Sequence, residues 1–442
     1  MRAKFLTTSL EFGGAELAVR AAEIMLAPLQ LLMAAPTLLF LAALSAMLLR
    51  HPDVSFYEID RVAFGLLVIA VAMRAMIQRN RLIILERITW PMIGLTALVL
   101  SSLASQPFNN EAWSLLAAKF IVPFTLFHLA KLVFVEERNF RSFEIFALIV
   151  LAYLSFTAIA FLFGAQSLIF PRFILDESLG HHADRARGPL LQAVANGVSL
   201  NMLGLIALHT YRRGSVRGLK VLLLLASVPI AILATMTRAV WVSFAGTIAA
   251  LILISDSRIR RRACLALLLV SVLGVAVVMG SSSLRSALSD RLQERGPVDY
   301  RAAVYAGGWE MFLERPWLGW GFHQMPDELP RHVSGYDERT LYPHNTYLEL
   351  LVENGIAGLV LYVWLMYELF RLGRSPVPES ESRGFLDSGF HRLWPILLAV
   401  YWANAAVVVM SYQFVNGLLF ALAGMLSAQR QRSILQQESS LC

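Results

Sequence analysis

Four arginines and one histidine carry the chemistry this sequence could do, and each stands where a polar segment meets an apolar one. The histidine is His344, within LYPHNTYLELLVENG, Leu341 to Gly355. Pro343 disfavours helix at Tyr342, and Asn345 is a good N-cap, so a helix is predicted to begin directly after His344. An imidazole at a helix N-terminus feels the positive end of the macrodipole, which favours its neutral form. Neutral imidazole can accept a proton and so serve as a general base; the plainer alternative is an interfacial histidine with no chemical role. Tyr342, Glu349 and Glu353 lie within reach of the same junction. The two glutamates, one turn apart, read equally well as a hydrogen-bonded structural pair. The arginines are Arg185, Arg187, Arg238 and Arg301. A guanidinium offers a permanent charge and a planar fork matched to phosphate oxygens. Beside a base, such groups suit a hydroxyl attacking an activated sugar phosphate. Each also has a structural alternative, Arg238 as a snorkelling charge at a helix end and Arg301 as a brace of its loop.

A membrane must position these groups. Of the 442 residues, 57% are hydrophobic and only 16% charged, with a mean hydropathy of +0.60. A soluble domain cannot hide that much apolar surface. Apolar runs near the ~20 residues of a spanning helix recur from residue 26 to residue 428. The net charge of +7 does not indicate nucleic acid, because the basic residues cluster in short loops at 79–87, 136–142, 211–220, 255–262, 371–384 and 429–432. Loops poor in lysine and arginine, such as 106–114 and 411–414, fall between them. That alternation is the positive-inside pattern, with about twelve spans and both termini cytoplasmic.

The spans are expected near 26–49, 62–78, 88–104, 115–135, 143–164, 190–208, 219–236, 239–254, 263–281, 345–370, 392–410 and 413–428. Residues 219–254 as one helix would measure about 54 Å against a hydrocarbon core of about 30 Å. The chain must therefore turn at Thr235–Arg238, which puts Arg238 at the non-cytoplasmic end of a tight hairpin. The layout is then a cytoplasmic tail (1–25), nine spans (26–281) with a non-cytoplasmic loop at 165–189, a long non-cytoplasmic loop (282–343), three more spans (344–428) and a cytoplasmic tail (429–442). The long loop shows helical spacing from Tyr300 to Phe312 and reads as a lid-like subdomain. Lys119 and Arg74 fall inside spans and should face the protein interior or snorkel. His181 and His182 read as exposed spectators. Neither Cys264 nor Cys442 supports a disulfide or metal framework. Nucleotide and zinc motifs are missing, and no acidic pair suits a metal-bound sugar nucleotide.

Four segments resemble motifs of the O-antigen ligase and O-antigen polymerase superfamily. YPHNTYLELLVENGIAGLVLYVWL (342–365) resembles its histidine–asparagine helix opening, followed by glutamates and by Gly355 and Gly358. RAAVYAGGWEMFLERPWLGWGFHQM (301–325) is similar to its loop helix, with the turn Pro316, Gly319, Gly321. TRAVWVSF (237–244) matches its hairpin arginine, and RARGPLLQAVANG (185–197) resembles its Arg-x-x-Gly segment. In that last segment the family's usual proline–asparagine pair is replaced by Val194-Ala195-Asn196.

The resemblance implies an all-α polytopic glycosyltransferase of GT-C type in the cell inner membrane, with its active site facing the periplasm. Such enzymes take a glycan from undecaprenyl pyrophosphate, need no metal or other cofactor, and invert the anomeric carbon. His344 would be the base, or would position the acceptor hydroxyl. Arg238 and Arg185 would hold the pyrophosphate, with Arg187 competing for the place of Arg185. Arg301, Asn345, Tyr342 and Glu349 would support them. For a ligase, the preferred reading, the acceptor is lipid A–core; for an O-antigen or exopolysaccharide polymerase it is a second glycan chain. A transporter of lipid-linked sugars is the rival of another class. It would place its charges near the bilayer midplane, whereas these lie at the rim.

Overall fold

The computed structural model describes residues 35–51, 59–79, 85–180, 182–257, 296–335, 340–377 and 384–441, with a few single positions between them. The expected N-terminal tail, most of the ninth span, with Cys264, and His181 and Cys442 lie outside the described residues. Among the described residues the chain is all-helical. In chain order the principal helices are α1 (Pro36–Leu48), α2 (Ile59–Ile77), α3 (Thr89–Ala104), α4 (Asn110–Val133), α5 (Glu137–Leu162), α6 (Ala193–Arg213), α7 (Leu219–Ala234) and α8 (Arg238–Leu253). They continue with α9 (Gly296–Glu314), the short α10 (Met325–Glu328), α11 (Thr346–Leu372), α12 (Ser388–Ala405) and α13 (Gln413–Leu441).

Four of these, α4, α5, α6 and α11, are long and apolar enough to cross a membrane. Helices α1, α3, α7 and α8 are shorter but equally apolar. Their ends follow local chemistry. Asn109 caps α4 by accepting the N–H groups of Glu111 (2.9 Å) and Ala112 (3.3 Å). Gly214, at φ 78°, closes α6 in the left-handed conformation that glycine adopts without penalty. The break between α7 and α8 falls at residues 235–237, where the length argument requires it. One boundary differs from the sequence reading. Helix α13 runs on to Leu441 through a segment expected as a tail, because Gln, Arg, Leu and Glu sustain a helix and no proline or glycine interrupts it.

A single large apolar core joins α1 to α8 with α11, α12 and α13. Helix α13 lies close along α4, where a Cβ on Gly424 would meet the Phe127 carbonyl. Buried polar groups join Asn201 of α6 to Thr247 of α8 (3.1 Å) within the bundle and gather in clusters at its two ends. At one end Glu86 accepts Lys131, Ser427 (2.6 Å) and Gln431 (2.6 Å), and Arg213 bonds Glu137 (2.7 Å) and Glu144 (3.0 Å). At the other end, α9, α10 and the start of α11 build a small second core around Val304, Met311, Met325, Leu329 and Val352. His344 sits at that end.

Candidate functional site

The head of α11 is fastened from several sides. The Asn345 side chain accepts the N–H groups of Tyr347 (3.0 Å) and Leu348 (3.2 Å), the N-cap its sequence position suggested. The Thr346 hydroxyl donates to the Val408 carbonyl (2.9 Å) and accepts the Met410 N–H (3.0 Å). From α9, the Tyr300 hydroxyl donates to the Tyr342 carbonyl (3.4 Å) and accepts the Tyr342 N–H (3.2 Å). Between these fixed points His344 is half-buried with φ 45°, its ring tilted against Tyr300 at 6.0 Å. A non-glycine residue in the left-handed region carries strain that the surroundings must impose, and such strain gathers at functional sites.

Eleven residues on, α11 is broken. Gly355 has φ 61° and ψ −162°, a conformation open to glycine alone. The groups freed by the break are taken up by the Pro316–Gly321 turn. The Val352 and Glu353 carbonyls accept the Trp320 and Gly321 N–H groups, both at 2.9 Å. The Ile356 and Ala357 N–H groups donate to the Pro316 (2.8 Å) and Trp317 (3.2 Å) carbonyls. Gly319 is required by contact, since a Cβ there would lie 2.5 Å from the Glu353 carbonyl carbon. Two sequence motifs are thus one interlocked object.

The arginine segments converge on the same end through backbone and side-chain bonds. The Ala186 N–H donates to the Ala234 carbonyl (3.2 Å), tying the residue after Arg185 to the hairpin before Arg238. The Asn196 amide also holds the Ala186 carbonyl (2.9 Å). Arg238 opens α8 half-buried, one turn and a little more above Ser243, whose hydroxyl accepts the Asn404 amide (2.9 Å). Helix α12 then leads into the 406–412 loop that holds Thr346, and the Tyr305 hydroxyl of α9 donates to its Ala406 carbonyl (3.2 Å).

The two candidate loop arginines are used differently. Arg187 is buried, and its guanidinium donates to the carbonyls of Ile174 (3.0 Å), Leu179 and Asp176. Burial pulls it below its ordinary pKa, against the pull of Asp176, Asp184 and Glu177. Asp176 is itself held below the usual carboxylate range by the Ser178 hydroxyl and N–H. Arg185 is buried beside Asp184, with Nε 3.5 Å from the carboxylate. Arg301 lies half-buried in α9, one residue after Tyr300, and Tyr342 is exposed.

Glu349 faces inward. Its carboxylate pairs with Lys119 at 2.6 Å, both side chains about nine-tenths buried. Lys119 lies in a π-helical turn of α4, Ala117–Ile121, and its ammonium also stands over the Phe322 ring. Both residues line a mainly apolar cavity of about 50 Å³, together with Thr346 and the buried Glu353. The sequence offered one signal for this pair, a lysine inside an apolar run; its partner is 230 positions away. Tyr300 and Thr346 carried no signal. Asp60, in the first turn of α2, is buried 3.8 Å from Arg50. Among the described residues no group of three or more His, Cys, Asp or Glu side chains comes together.

A helical bundle with four described helices long and apolar enough to span, ion-pair clusters at its two ends and a strained histidine at one of them is an integral membrane protein. Residues 219–363, the stretch from α7 into α11, match the model of the O-antigen ligase family. The match contains Arg238, Arg301, Tyr342, His344, Asn345 and Glu349, and leaves Arg185 and Arg187 outside it. No curated protein matches the chain.

Proposed function

We propose that the protein transfers a glycan from undecaprenyl pyrophosphate to an acceptor sugar hydroxyl, with lipid A–core as the acceptor, at the periplasmic face of the inner membrane. The observation that carries this reading is the strained, braced His344 at the end of the bundle where the Arg185 and Arg238 segments are tied together. His344 takes the proton from the acceptor hydroxyl. The oxygen attacks the anomeric carbon as the carbon–oxygen bond to pyrophosphate breaks, and the electron pair leaves with the pyrophosphate. Attack opposite the leaving group inverts that carbon. Arg185 and Arg238 neutralise the departing charge in place of a metal. Arg185 is preferred over Arg187, because the Arg187 guanidinium is already engaged by three carbonyls. Arg301 and Tyr342 border the acceptor side, and Asn345 and Glu349 hold the helix that presents His344.

The deciding experiment is deletion of the gene followed by electrophoresis of lipopolysaccharide. A ligase knockout leaves core without side chains while full-length polymer accumulates on its lipid carrier. Cores bearing one repeat would identify a polymerase instead, and unchanged lipopolysaccharide with missing secreted polymer an exopolysaccharide enzyme.

A further inference from the structure

The segment between α9 and α10 combines a high exposure of large apolar side chains with a depth that polar loops do not reach. Trp309 and Leu313 are 51% and 60% exposed, and Trp317 and Leu318 are 72% and 66% exposed. Residues 309, 313 and 317 follow at intervals of four, so a single stripe descends from α9 into the turn. Of the charges beside the stripe, Glu310 is exposed, while Glu314 and Arg315 are engaged elsewhere. Glu314 bonds His332 at 3.1 Å, and the Arg315 guanidinium stacks 4.2 Å from the centre of the Trp320 ring.

The depth follows from what the turn is bonded to. The Trp317 carbonyl accepts the Ala357 N–H, inside α11. The next residue, Gly358, faces α3, where a Cβ would lie 3.6 Å from Leu98. Leu98 is six residues short of the end of α3, or about 9 Å at the helical rise. The turn therefore reaches well below the end of an apolar helix of the bundle. Its exposed face runs on into the exposed apolar face of α11 at Val360, Val363 and Trp364. Non-helical backbone at such depth is tolerated only where its polar groups are satisfied, and the break at Gly355 supplies those partners.

We propose that Trp309, Leu313, Trp317 and Leu318 are immersed in the membrane leaflet on the His344 side, with lipid acyl chains as their partner, so that the α9 subdomain is a re-entrant element rather than a lid in water. The tryptophans would then act as interfacial anchors. This is independent of the glycan-transfer reading, which could fail without affecting it.

The test is depth measurement in reconstituted bilayers. In the full chain with Cys264→Ser and Cys442→Ser, a spin label is placed at Leu318→Cys and, as a water-facing control, at Arg331→Cys, whose native side chain is 73% exposed. Collisions with oxygen should dominate over a water-soluble nickel chelate at 318, and the reverse should hold at 331. Nickel-dominated relaxation at 318 overturns the proposal. Should Leu318→Cys not accumulate, native tryptophan emission gives the same answer. In bilayers brominated in the acyl chains, Trp317→Phe should remove emission that the bromines quench; loss of only unquenched emission refutes it.

Discussion

Replacing Gly355 with alanine tests the interlock at the centre of the site. Docked, residue 355 holds φ 61° and ψ −162°, where an L side chain costs of order 1–3 kcal/mol. Undocked, α11 can run straight through, and there alanine is better than glycine by about 1 kcal/mol. Both terms act in one direction, so the docked state loses roughly 2–4 kcal/mol, about 30- to 700-fold in the docking equilibrium. Contact of the new Cβ with the Trp317 carbonyl adds to this. Hydrogen exchange in nanodiscs reads it directly. The Trp320 and Gly321 amides should exchange faster by that factor, while Ile356 and Ala357, which pass to the Val352 and Glu353 carbonyls of the straightened helix, and amides in the core of α6 keep their protection. Transfer should fall in parallel, because the turn joins α9 to the helix behind His344. Unchanged protection of the Trp320 and Gly321 amides in a well-folded Gly355→Ala protein would refute the reasoning, since the strain cannot vanish without a change in backbone.

Other outcomes are expected at single residues. His344→Ala should insert at normal levels yet lose about 10²–10⁴-fold in transfer rate, measured with purified lipid-linked donor; near-normal turnover removes its role as base. Arg185→Lys and Arg238→Lys should each impair transfer because the bidentate fork is lost, and the wild-type enzyme should work in excess chelator. Strict dependence on added Mg²⁺ or Mn²⁺ would contradict the arginine model. Lys119→Met should destabilise by about 3–5 kcal/mol, as expected when one partner of a buried ion pair is left alone. Thermal melts of Lys119→Met/Glu349→Met should recover much of that loss, and additive losses would show the pair to be uncoupled.

What the sequence revealed and what it hid differ in range. Apolar runs, the Asn345 cap and the turn at Thr235–Arg238 are local or follow from length alone, and the helices described here fall close to where those features put them. The break at Gly355 was invisible. Residues 345–370 read as one helix, because an isolated glycine is normally tolerated there and the four bonds that open it come from residues some 35 positions away. The fate of Arg187 was hidden for a related reason. Its partners are backbone carbonyls at 174, 176 and 179, which leave no trace in side-chain identity. The Lys119–Glu349 pair needed a contact between distant helices, and only the oddity of a charge inside a span pointed toward it.

Between His344 and the break, Thr346 to Asn354 form a helical rod of about 14 Å at 1.5 Å per residue. It is clamped at its head by Asn345 and Thr346 and at its foot by the Pro316–Gly321 turn. A rod held at both ends behaves as a spacer: the height and bearing of the imidazole are set by how many residues it contains. Adding or deleting one would shift His344 by about 1.5 Å and swing it by about 100° around the axis, a larger displacement than any surface substitution produces. Relatives that handle larger or smaller glycans are therefore expected to differ in the loops around this rod while its residue count stays fixed.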